Sequence, residues 1–546
     1  MKKFLLTISV SLSFGFVSAA SFHDSIKIVK SDGSSFSCPV ALMDSIVSDL
    51  EQQNVFLSIP RSEIKEIVTP DAVPAESVNL SADGKKNYFN TLRAVSFKDK
   101  NGTVLSAKFG DDNSASIVLP PSAKYADFTA SFDTDGSYVY VNGTLAQNGS
   151  GLTIPMSSEI KVVSFSGEVQ TYNITVSYSK FPVVSVTSPK NVSEITSDWS
   201  EGFVLRTSNP DGTVTAENTV EFRGRGGSFS SSGNDKYAYG IKFDKKSRPL
   251  NMTKGKRWIL LPCKADKTLL RSSLAFDIYK KYLGSCWTPS TSPCELVIDG
   301  AYKGSYLLTE QIRITDERIP DGIIISVENE KDDDEDAFRS KQSNSLFVFQ
   351  DPDAGSIGTR LIRTQALIDE FEALLFSSNS ADKDKAMEMI DANSFADWIV
   401  INEIAKNSNA FLEDCYLNIS PDNLIKMGPI WDMSDFFGNS TSESTDDFVA
   451  KNTVWAAELL KDANFAKLVY DRFEKVYSSK SEILSLIDQH AANFEVSAKG
   501  NEQAQNSFGL ADAEGERFAN KYAAEIKRLK VWLEKRLEWL HKSLKP

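Results

Sequence analysis

The amino-acid sequence predicts a multidomain protein in which a signal peptide precedes a small β-rich module, an all-β sandwich and a larger α+β domain. Three observations support this prediction. With 546 residues, the chain is too long for one hydrophobic core. Up to about residue 330 it has the pattern of short strands separated by turn signals. Beyond that point, the apolar residues take the spacing of long amphipathic helices.

The first twenty residues have the pattern of a Sec-type export signal. Lys2 and Lys3 form a basic start, residues 4–17 are a short apolar stretch, and Ala19-Ala20 is a small-residue cleavage site. No cysteine follows this site, so we expect no lipid anchor. No later run of about 18 apolar residues predicts a transmembrane segment. We therefore expect a secreted or cell-surface bacterial protein, with residues 1–20 removed.

Composition and cysteine spacing exclude two kinds of partner. The net charge of -14 leaves no excess of Lys and Arg to neutralise phosphates, so we expect no nucleic-acid partner. None of the five cysteines has metal-ligand spacing, which argues against a zinc site. Cys286 and Cys294 are close enough to close a short loop, and we predict a disulfide between them because export makes disulfides possible.

Two β-rich regions come after the signal peptide. Residues 21–73 predict the small module, because residues 26–29 alternate in polarity and residues 31–34 supply a turn. Residues 74–181 predict an immunoglobulin-like β-sandwich, with turn dipeptides such as Asn142-Gly143 between short strands. Its clearest strand has apolar residues at alternate positions, namely Tyr172, Ile174, Val176 and Tyr178. Such domains serve as spacers or binding modules, so polysaccharide or the cell wall could be a partner.

The remaining residues, 182–546, predict the α+β domain, with a β-rich lobe at 182–330 and a helical lobe at 331–546. A helix is expected from Asp266 to Gly284, since it has an acidic start, an apolar face and a terminating glycine. The final helix is expected at about 518–543. Its apolar face comprises Ile526, Leu529, Leu533, Leu537 and Leu540.

The first candidate site residues are Arg223, Gly224, Arg225 and Gly226. A glycine-rich turn lets backbone N–H groups approach phosphate oxygens, and arginine side chains can bind those oxygens in a fork. An ordinary hairpin turn explains these four residues equally well. The next segments of the chain favour the phosphate site, because residues 239–243 predict a strand carrying an inward Lys242 and a later strand ends at Glu310. A phosphoryl-transfer lobe needs such a cradle, a lysine and a carboxylate that orients it.

Asp432 and Asp435 are candidates for the second half of such a site. Asp432 comes after an apolar strand and a proline, in a segment rich in aromatic residues and glycine. A carboxylate in that position can bind Mg²⁺ that bridges phosphate groups. The alternative is that both aspartates are turn or helix-cap residues.

Taken in order, these segments resemble the CotH kinase family, whose type member is spore coat protein H, over about residues 182–543. The matching segments are residues 223–226, 239–246, 258–261, 265–271, 295–310, 402–404, 428–439 and 529–536. The resemblance implies an atypical protein-kinase fold that uses ATP with Mg²⁺ or Mn²⁺. It also implies transfer of the γ-phosphate to Ser or Thr of secreted or cell-surface proteins.

The resemblance also implies roles for particular residues. Lys242 or Lys236 would contact the ATP phosphates, and the sequence leaves the choice between them open. Glu310 would orient that lysine, and Asp432 would hold the metal, with Asp435 three residues further along.

The sequence departs from the family pattern at positions that matter for catalysis. Asn409 stands where the family pattern has an aspartate, and an amide cannot accept the proton of a substrate hydroxyl, although it can bind a metal or orient the hydroxyl. Asp414 could replace that aspartate, but only if an unusual loop placed it there. The family also has an asparagine at Gly227, and a lysine and an arginine are lost within residues 236–240. The sequence is thus compatible with two hypotheses: an active secreted kinase, or a catalytically impaired pseudokinase that serves as an extracellular binding scaffold.

Overall fold

The computed structural model describes three short strands near the N-terminus and most of the chain from residue 89 to residue 545. The described residues are 25–30, 35–39, 64–68 and 89–545, except 100–103, 110–111, 120–127, 137, 147–149, 152–156, 165–167, 191, 193, 227–235, 332–334, 354–356, 440–443 and 506–514. The predicted signal peptide therefore lies outside the described residues. The chain divides into two compact units, one of residues 1–178 with 510–517 and one of residues 179–509 with 518–546. The domain boundaries drawn from the sequence stay predictions.

The first unit begins with a small antiparallel sheet. Its strands are β1 (Ser25–Lys30), β2 (Ser35–Pro39) and β3 (Ile64–Val68), in the order β2-β1-β3. The sheet lies within the segment that the sequence predicts to be a small β-rich module.

Nine further strands form two sheets in this unit. They are β4 (Leu92–Asp99), β5 (Val104–Lys108), β6 (Ser114–Leu119), β7 (Phe128–Thr134), β8 (Tyr138–Val141), β9 (Thr144–Ala146), β10 (Ser150–Gly151), β11 (Ser157–Val163) and β12 (Val169–Tyr178). The strand orders are β10-β7-β4-β5 and β6-β12-β11-β8-β9. On β12, Tyr172, Ile174 and Val176 are buried between exposed residues, which confirms the predicted alternation. The immunoglobulin-like class of these sheets stays a prediction.

The second unit begins with a closed β-barrel. Its strands are β13 (Val183–Thr187), β14 (Ser200–Ser208), β15 (Val214–Arg225), β16 (Ala238–Ser247), β17 (Gly255–Leu261), β18 (Thr291–Ile298) and β19 (Ala301–Glu310). They close in the order β13-β14-β15-β16-β17-β19-β18, with β13 and β18 parallel. The turn from β18 to β19 is formed by Asp299 and Gly300, both with positive φ, as the sequence predicts for a tight hairpin.

Strand alternation decides which side chains leave the barrel core. Phe222 on β15 and Tyr239 and Ile241 on β16 are buried in the core. Because neighbouring residues point to opposite faces, Arg225 and Lys242 project from the outer face. The prediction of an inward Lys242 was therefore wrong.

A helix connects β17 to β18. It is α1 (Arg271–Ile278), continued by a π-helical turn (Tyr279–Leu283), and it ends at Gly284, which has a φ of 81°. The predicted C-terminal glycine is confirmed, but the helix begins five residues later than predicted. The reason is that the Asp266 side chain accepts hydrogen bonds from the backbone N–H groups of Thr268 and Arg271 and so organises a turn before the helix.

The rest of the second unit combines a five-stranded sheet with seven α-helices among the described residues. The strands are β20 (Ile323–Glu328), β21 (Ala337–Arg339), β22 (Leu346–Asp351), β23 (Cys415–Ile419) and β24 (Ile425–Met427), in the order β21-β22-β20-β23-β24. The helices are α2 (Arg360–Leu375), α3 (Ser380–Glu388), α4 (Ala392–Ala405), α5 (Val454–Leu459), α6 (Ala463–Ser478), α7 (Lys480–Gln505) and α8 (Gly515–Ser543). Short 3₁₀ turns occur at Pro249–Asn251 and Ala450–Asn452.

The last helix confirms the predicted apolar face. All five of its predicted apolar residues are buried: Ile526, Leu529, Leu533, Leu537 and Leu540. Even so, none of the described helices is long and apolar enough to cross a membrane.

The cysteines do not pair as the sequence suggested. Cys286 and Cys294 are both free thiols, so the predicted disulfide between them was wrong. The Cys286 thiol donates a hydrogen bond to the Met427 carbonyl oxygen, 2.9 Å away. Cys294, on β18, is buried in the barrel core. One sulfur atom thus lies against the backbone at Met427 and the other lies in the barrel core, although the two cysteines are close in the sequence.

A buried ion pair attaches the C-terminal helix α8 to α4. Arg536 donates to a carboxylate oxygen and to the backbone oxygen of Glu403, both at 2.8 Å, and neither side chain is exposed. Glu403 also accepts from the backbone N–H groups of Val449 and Lys451. Burial raises the pKa of Glu403 and lowers the pKa of Arg536 to about 10.

We expect Arg536→Met to lower the free energy of unfolding by about 3–5 kcal/mol, because Glu403 is then buried without its cation. Adding Glu403→Gln should recover part of this loss, since a neutral amide is less costly to bury than an unpaired carboxylate. Denaturant titration of the parent and both variants measures these differences.

The matched control for this prediction is Lys467→Met. It removes an exposed ion pair with Asp471 and should change the free energy of unfolding by less than about 1 kcal/mol. Equal losses for Arg536→Met and Lys467→Met would contradict the expectation.

Candidate functional site

A cavity of about 150 Å³ in the second unit brings several of the predicted site residues together. Four carboxylates line it, those of Glu413, Asp414, Asp432 and Asp435, and we call it the acidic cavity. Its other lining residues are Trp398, Asn402, Asn407, Asn409, Ala410, Cys415, Pro429, Ile430, Trp431, Met433 and Phe436. Among these described lining residues, none is Lys, Arg or His. The cavity therefore concentrates negative charge.

The first wall of the cavity is the loop after α4. The helix ends at Lys406, which has a left-handed φ of 53°. The Asn407 side chain then shapes the loop, because its amide donates to Asn402 Oδ1 at 2.7 Å and its Oδ1 accepts from the Asn409 backbone N–H at 2.8 Å. Asn409 Nδ2 in turn donates to Glu413 Oε2 at 3.3 Å. These bonds position Asn409 at the cavity wall.

The same loop carries Asp414 into the cavity through an uncommon backbone path. Phe411 and Asp414 have φ values of 59° and 52°, in the left-handed region, which a bulky residue such as Phe411 rarely adopts. The Asp414 backbone N–H donates to Glu328 Oε2 at 3.1 Å, which fixes the end of the loop against β20. The loop thus brings Asp414 to the wall of the acidic cavity.

Asp414 is an exposed residue that lines the cavity. Partial loss of water at the cavity wall, followed by the negative charge of Glu328, raises the pKa of Asp414 to about 7, and Arg225 partly opposes the shift. Loss of water and the charge of Asp432 likewise raise the pKa of Asp435.

The second wall is the loop from residue 428 to residue 439, which α1 holds in place. Asp432 Oδ1 accepts hydrogen bonds from the Ser272 hydroxyl and from the Ser434 backbone N–H, the latter at 3.0 Å. The Ser272 oxygen also accepts from the Met433 N–H at 3.1 Å. In the part of the chain that the structure describes, Asp432 Oδ2 accepts no hydrogen bond, so this oxygen can face a ligand.

The far end of this loop closes on the C-terminal helix. Gly438 has a φ of 71°, and a Cβ atom built on it would lie 2.4 Å from the Trp532 ring of α8. Only glycine satisfies both conditions, which explains why the aromatic segment ends in a glycine.

Of the four residues at 223–226, Arg225 extends towards the acidic cavity. Its guanidinium lies 5.9 Å from the Trp431 ring centroid. Burial raises the pKa of the nearby Tyr416 hydroxyl, and the charge of Arg225 partly opposes this shift. Arg223 instead lies 4.6 Å from the Trp199 ring centroid. The Gly224 N–H donates to the Thr196 carbonyl at 2.7 Å and is not directed at a ligand. Gly226, with a φ of 84°, comes directly after the end of β15.

The structure brings neither candidate lysine to the cavity or to Glu310. Lys236 is buried and donates to the Ser305 carbonyl at 2.7 Å and to Asn501 Oδ1 at 2.6 Å, and burial lowers its pKa to about 8. Lys242 pairs with Glu221 on the neighbouring strand at 2.7 Å. The roles of the two lysines stay predictions, with these contacts as their starting point.

Glu310 has a different partner from the one that the resemblance implies. It is buried at the end of β19 and pairs with Arg318, whose Nε lies 3.2 Å from the carboxylate. It also accepts from the Ser290 backbone N–H at 2.8 Å. The carboxylate thus fastens the hairpin end to the segment after β19.

The acidic cavity offers the kinds of ligand atom that bind a divalent cation, but these atoms do not form a complete coordination site. Among the described residues, no group of three or more His, Cys, Asp or Glu side chains is arranged to hold a metal ion. The cavity nevertheless offers carboxylate and amide oxygens, which Mg²⁺ and Mn²⁺ prefer, and Mg²⁺ commonly takes one or two carboxylates together with water and phosphate oxygens. Asp432 and Asp435 therefore suit a cation that arrives with a phosphate ligand.

Ser272, Glu328 and Glu413 were not foreseen as site residues from the sequence. Ser272 has no signal of its own in the sequence, since its role depends on contact with a loop 160 residues away. Glu328 is the last residue of an apolar strand, and a search for carboxylates at the ends of apolar strands could have found it.

Comparison with protein families places this geometry in a known context. Residues 220–540, more than half of the chain, match the family model described as CotH kinase protein. The match includes Arg225, Ser272 and all residues that line the acidic cavity. No curated protein matches the chain.

We expect Asp414→Asn to raise the melting temperature more at pH 8 than at pH 5. The carboxyl has a pKa near 4 in the unfolded chain and about 7 in the folded protein, so the folded state loses stability as the pH rises through this window. The asparagine does not ionise and escapes the loss. Thermal melts of parent and variant between pH 4 and pH 8 measure the effect.

Asp422→Asn is the matched control for this prediction. Asp422 lies in the exposed turn between β23 and β24, where a bond from the Ser420 hydroxyl lowers its pKa. This control should not gain stability as the pH rises. A gain for Asp414→Asn that is the same at every pH would count against the assignment.

Proposed function

The chain belongs to the CotH kinase family, and from this premise we propose that it binds ATP with Mg²⁺ or Mn²⁺ at the acidic cavity. We propose further that it transfers the γ-phosphoryl group to Ser or Thr residues of secreted or cell-surface proteins. The observation that supports this best is the convergence of Asn409, Asp414, Asp432 and Asp435 on one cavity, with Arg225 directed towards it.

The residues of the cavity suit phosphoryl transfer. This reaction depends mainly on positioning and on compensation of phosphate charge. Asp432 and Asp435 would hold the divalent cation, which supplies positive charge to the phosphate oxygens. Arg225 would bind phosphate oxygens with its planar guanidinium, which is suited to two parallel hydrogen bonds. Ser272 would keep Asp432 in place, because it bonds one carboxylate oxygen and leaves the other to the ligand.

The proposed place of action rests on the sequence. The export pattern of residues 1–20 supports a secreted or cell-surface protein, and its substrates would then be proteins of the same compartment. The β-rich modules before the kinase-like domain would serve as spacers, or would attach the protein to polysaccharide or the cell wall.

A second candidate function is a pseudokinase that acts as an extracellular binding scaffold. Two observations favour it. Asn409 stands where the family pattern has an aspartate, and Glu310 pairs with Arg318 and not with a lysine. Because the lysine–glutamate pair is required in protein kinases, its absence among the described contacts of Glu310 is consistent with lost catalysis.

Thermal melts with ATP and MnCl₂ test the proposed function. Binding at a ligand concentration 100 times the Kd should stabilise the folded protein by about 2.7 kcal/mol, visible as a higher melting temperature. Asp432→Asn should abolish most of the shift, since an amide replaces the charged ligand but keeps the shape. Asp422→Asn, in the exposed turn, should shift like the parent.

Transfer from γ-³²P-labelled ATP then separates the two candidates. Label on the protein itself or on dephosphorylated casein, absent with Asp432→Asn, supports the kinase. A melting shift without label supports the scaffold. If ATP and MnCl₂ leave the melting temperature of the parent unchanged, nucleotide binding at this cavity is wrong.

A further inference from the structure

The spacing of Asn409 and Asp414 matches that of two catalytic residues of protein kinases, in reverse order. In the protein-kinase catalytic loop H-R-D-x-x-x-x-N, the aspartate accepts the proton of the substrate hydroxyl and the asparagine binds a metal ion. Here an asparagine is followed, after four intervening residues, by an aspartate. Both residues line the acidic cavity.

We infer that Asp414 accepts the proton of the attacking hydroxyl and that Asn409 binds the metal ion through its amide oxygen. The two positions have thus exchanged the roles that they have in the protein-kinase loop. This inference rests on the proposed function, since it assigns a catalytic residue to the same cavity.

The hydrogen bonds of the loop support this division of roles. Asn409 Nδ2 donates to Glu413, which leaves its amide oxygen as the group that can bind a cation or orient a hydroxyl. Asp414 is bonded through its backbone N–H to Glu328, a contact that holds the residue without engaging its carboxylate. The Asp432 carboxylate is bound on one oxygen by Ser272 and is assigned to the cation through the other, so it is not the candidate for proton acceptor.

The charges around Asp414 give a further reason to assign it a function. Charges face this carboxylate from several elements: Arg225 from β15, Glu328 from β20, Glu413 from its own loop and Asp432 from the opposite loop. A carboxylate placed among three others destabilises the fold, so its presence there is better explained by chemistry than by packing.

The proposed step is balanced in atoms and electrons. The hydroxyl oxygen of the acceptor Ser or Thr forms a bond to the γ-phosphorus of ATP. The bond between that phosphorus and the oxygen bridging to the β-phosphate breaks, and ADP leaves with the electron pair. The hydroxyl proton passes to the Asp414 carboxylate and then to solvent through the opening of the cavity.

Three variants of the full chain test the inference: Asp414→Asn, Asn409→Asp and the double exchange of both. Each is assayed for ³²P transfer from γ-labelled ATP to dephosphorylated casein, and for the melting shift with ATP and MnCl₂. We expect Asp414→Asn to keep the melting shift but to lose at least about 100-fold in transfer, the usual contribution of a general base. The double exchange should regain at least about 10-fold over Asp414→Asn. Asp422→Asn is the matched control and should transfer like the parent.

The outcomes separate this inference from the function on which it rests. If the parent transfers phosphate and Asp414→Asn transfers equally, Asp414 is not the proton acceptor, although the kinase proposal stands. If Asp414→Asn loses the melting shift together with transfer, Asp414 is a nucleotide or metal ligand and the inference is overturned. A parent that binds ATP without transferring phosphate overturns it in favour of the scaffold. A parent with neither property overturns the proposed function itself.

Discussion

Repulsion among the carboxylates of the acidic cavity is the constraint on which the arrangement of the second unit depends. The carboxylates of Glu328, Asp432 and Glu413 lie close enough to Asp414 to oppose its ionisation. Like charges separate unless the backbone that carries them is fixed, and three connections fix it here. Ser272 holds the loop of Asp432, the Asn402–Asn407 bond holds the loop of Asp414, and Arg536 ties α4 to α8. The site is thus assembled from segments that lie far apart in sequence.

These connections differ in what they contribute. The Arg536–Glu403 pair gives little net stability over an apolar pair of the same size, because two charges have lost their water. The pair instead fixes the position of the backbone around it. The Arg536 guanidinium also donates to the backbone oxygens of Thr445 and Asp447 and so holds residues 445–447 on one path. Ser272 acts similarly at lower cost, because a hydroxyl can donate to Asp432 and accept from Met433 at once.

The sequence predicted the parts of the site that depend on local pattern. Asp432 was found because a carboxylate directly after an apolar strand marks a loop at the end of a sheet, and Asn409 because it breaks a family pattern. The strand at residues 239–243 was also predicted, but its orientation was misjudged by one residue of register, because Ile241 and not Lys242 faces the barrel core. Such errors arise because side chains alternate between the two faces of a strand, so an assignment shifted by one residue places every side chain on the opposite face.

Long-range pairing could not be predicted in the same way. Glu310 was assigned to a lysine, yet Arg318 lies eight residues further along and reaches it across the turn after β19. The entry of Asp414 into the cavity depends on left-handed backbone at Phe411 and Asp414, and at Phe411 this conformation runs against the preference of a bulky residue. Cys286 and Cys294 show the same limit, because their separation is decided by the closure of the barrel and not by their closeness in the sequence.

Charge also constrains how a nucleotide could enter this site. ATP brings several negative charges to a cavity whose described lining residues include four carboxylates and no cationic side chain. Arg225, on the barrel side, compensates one of these charges at most. Free ATP would therefore be repelled, whereas a complex of ATP with a divalent cation carries its own compensation and supplies the phosphate oxygens that complete the metal coordination. Under the proposed function, binding of the metal and binding of the nucleotide are therefore expected to be strongly coupled.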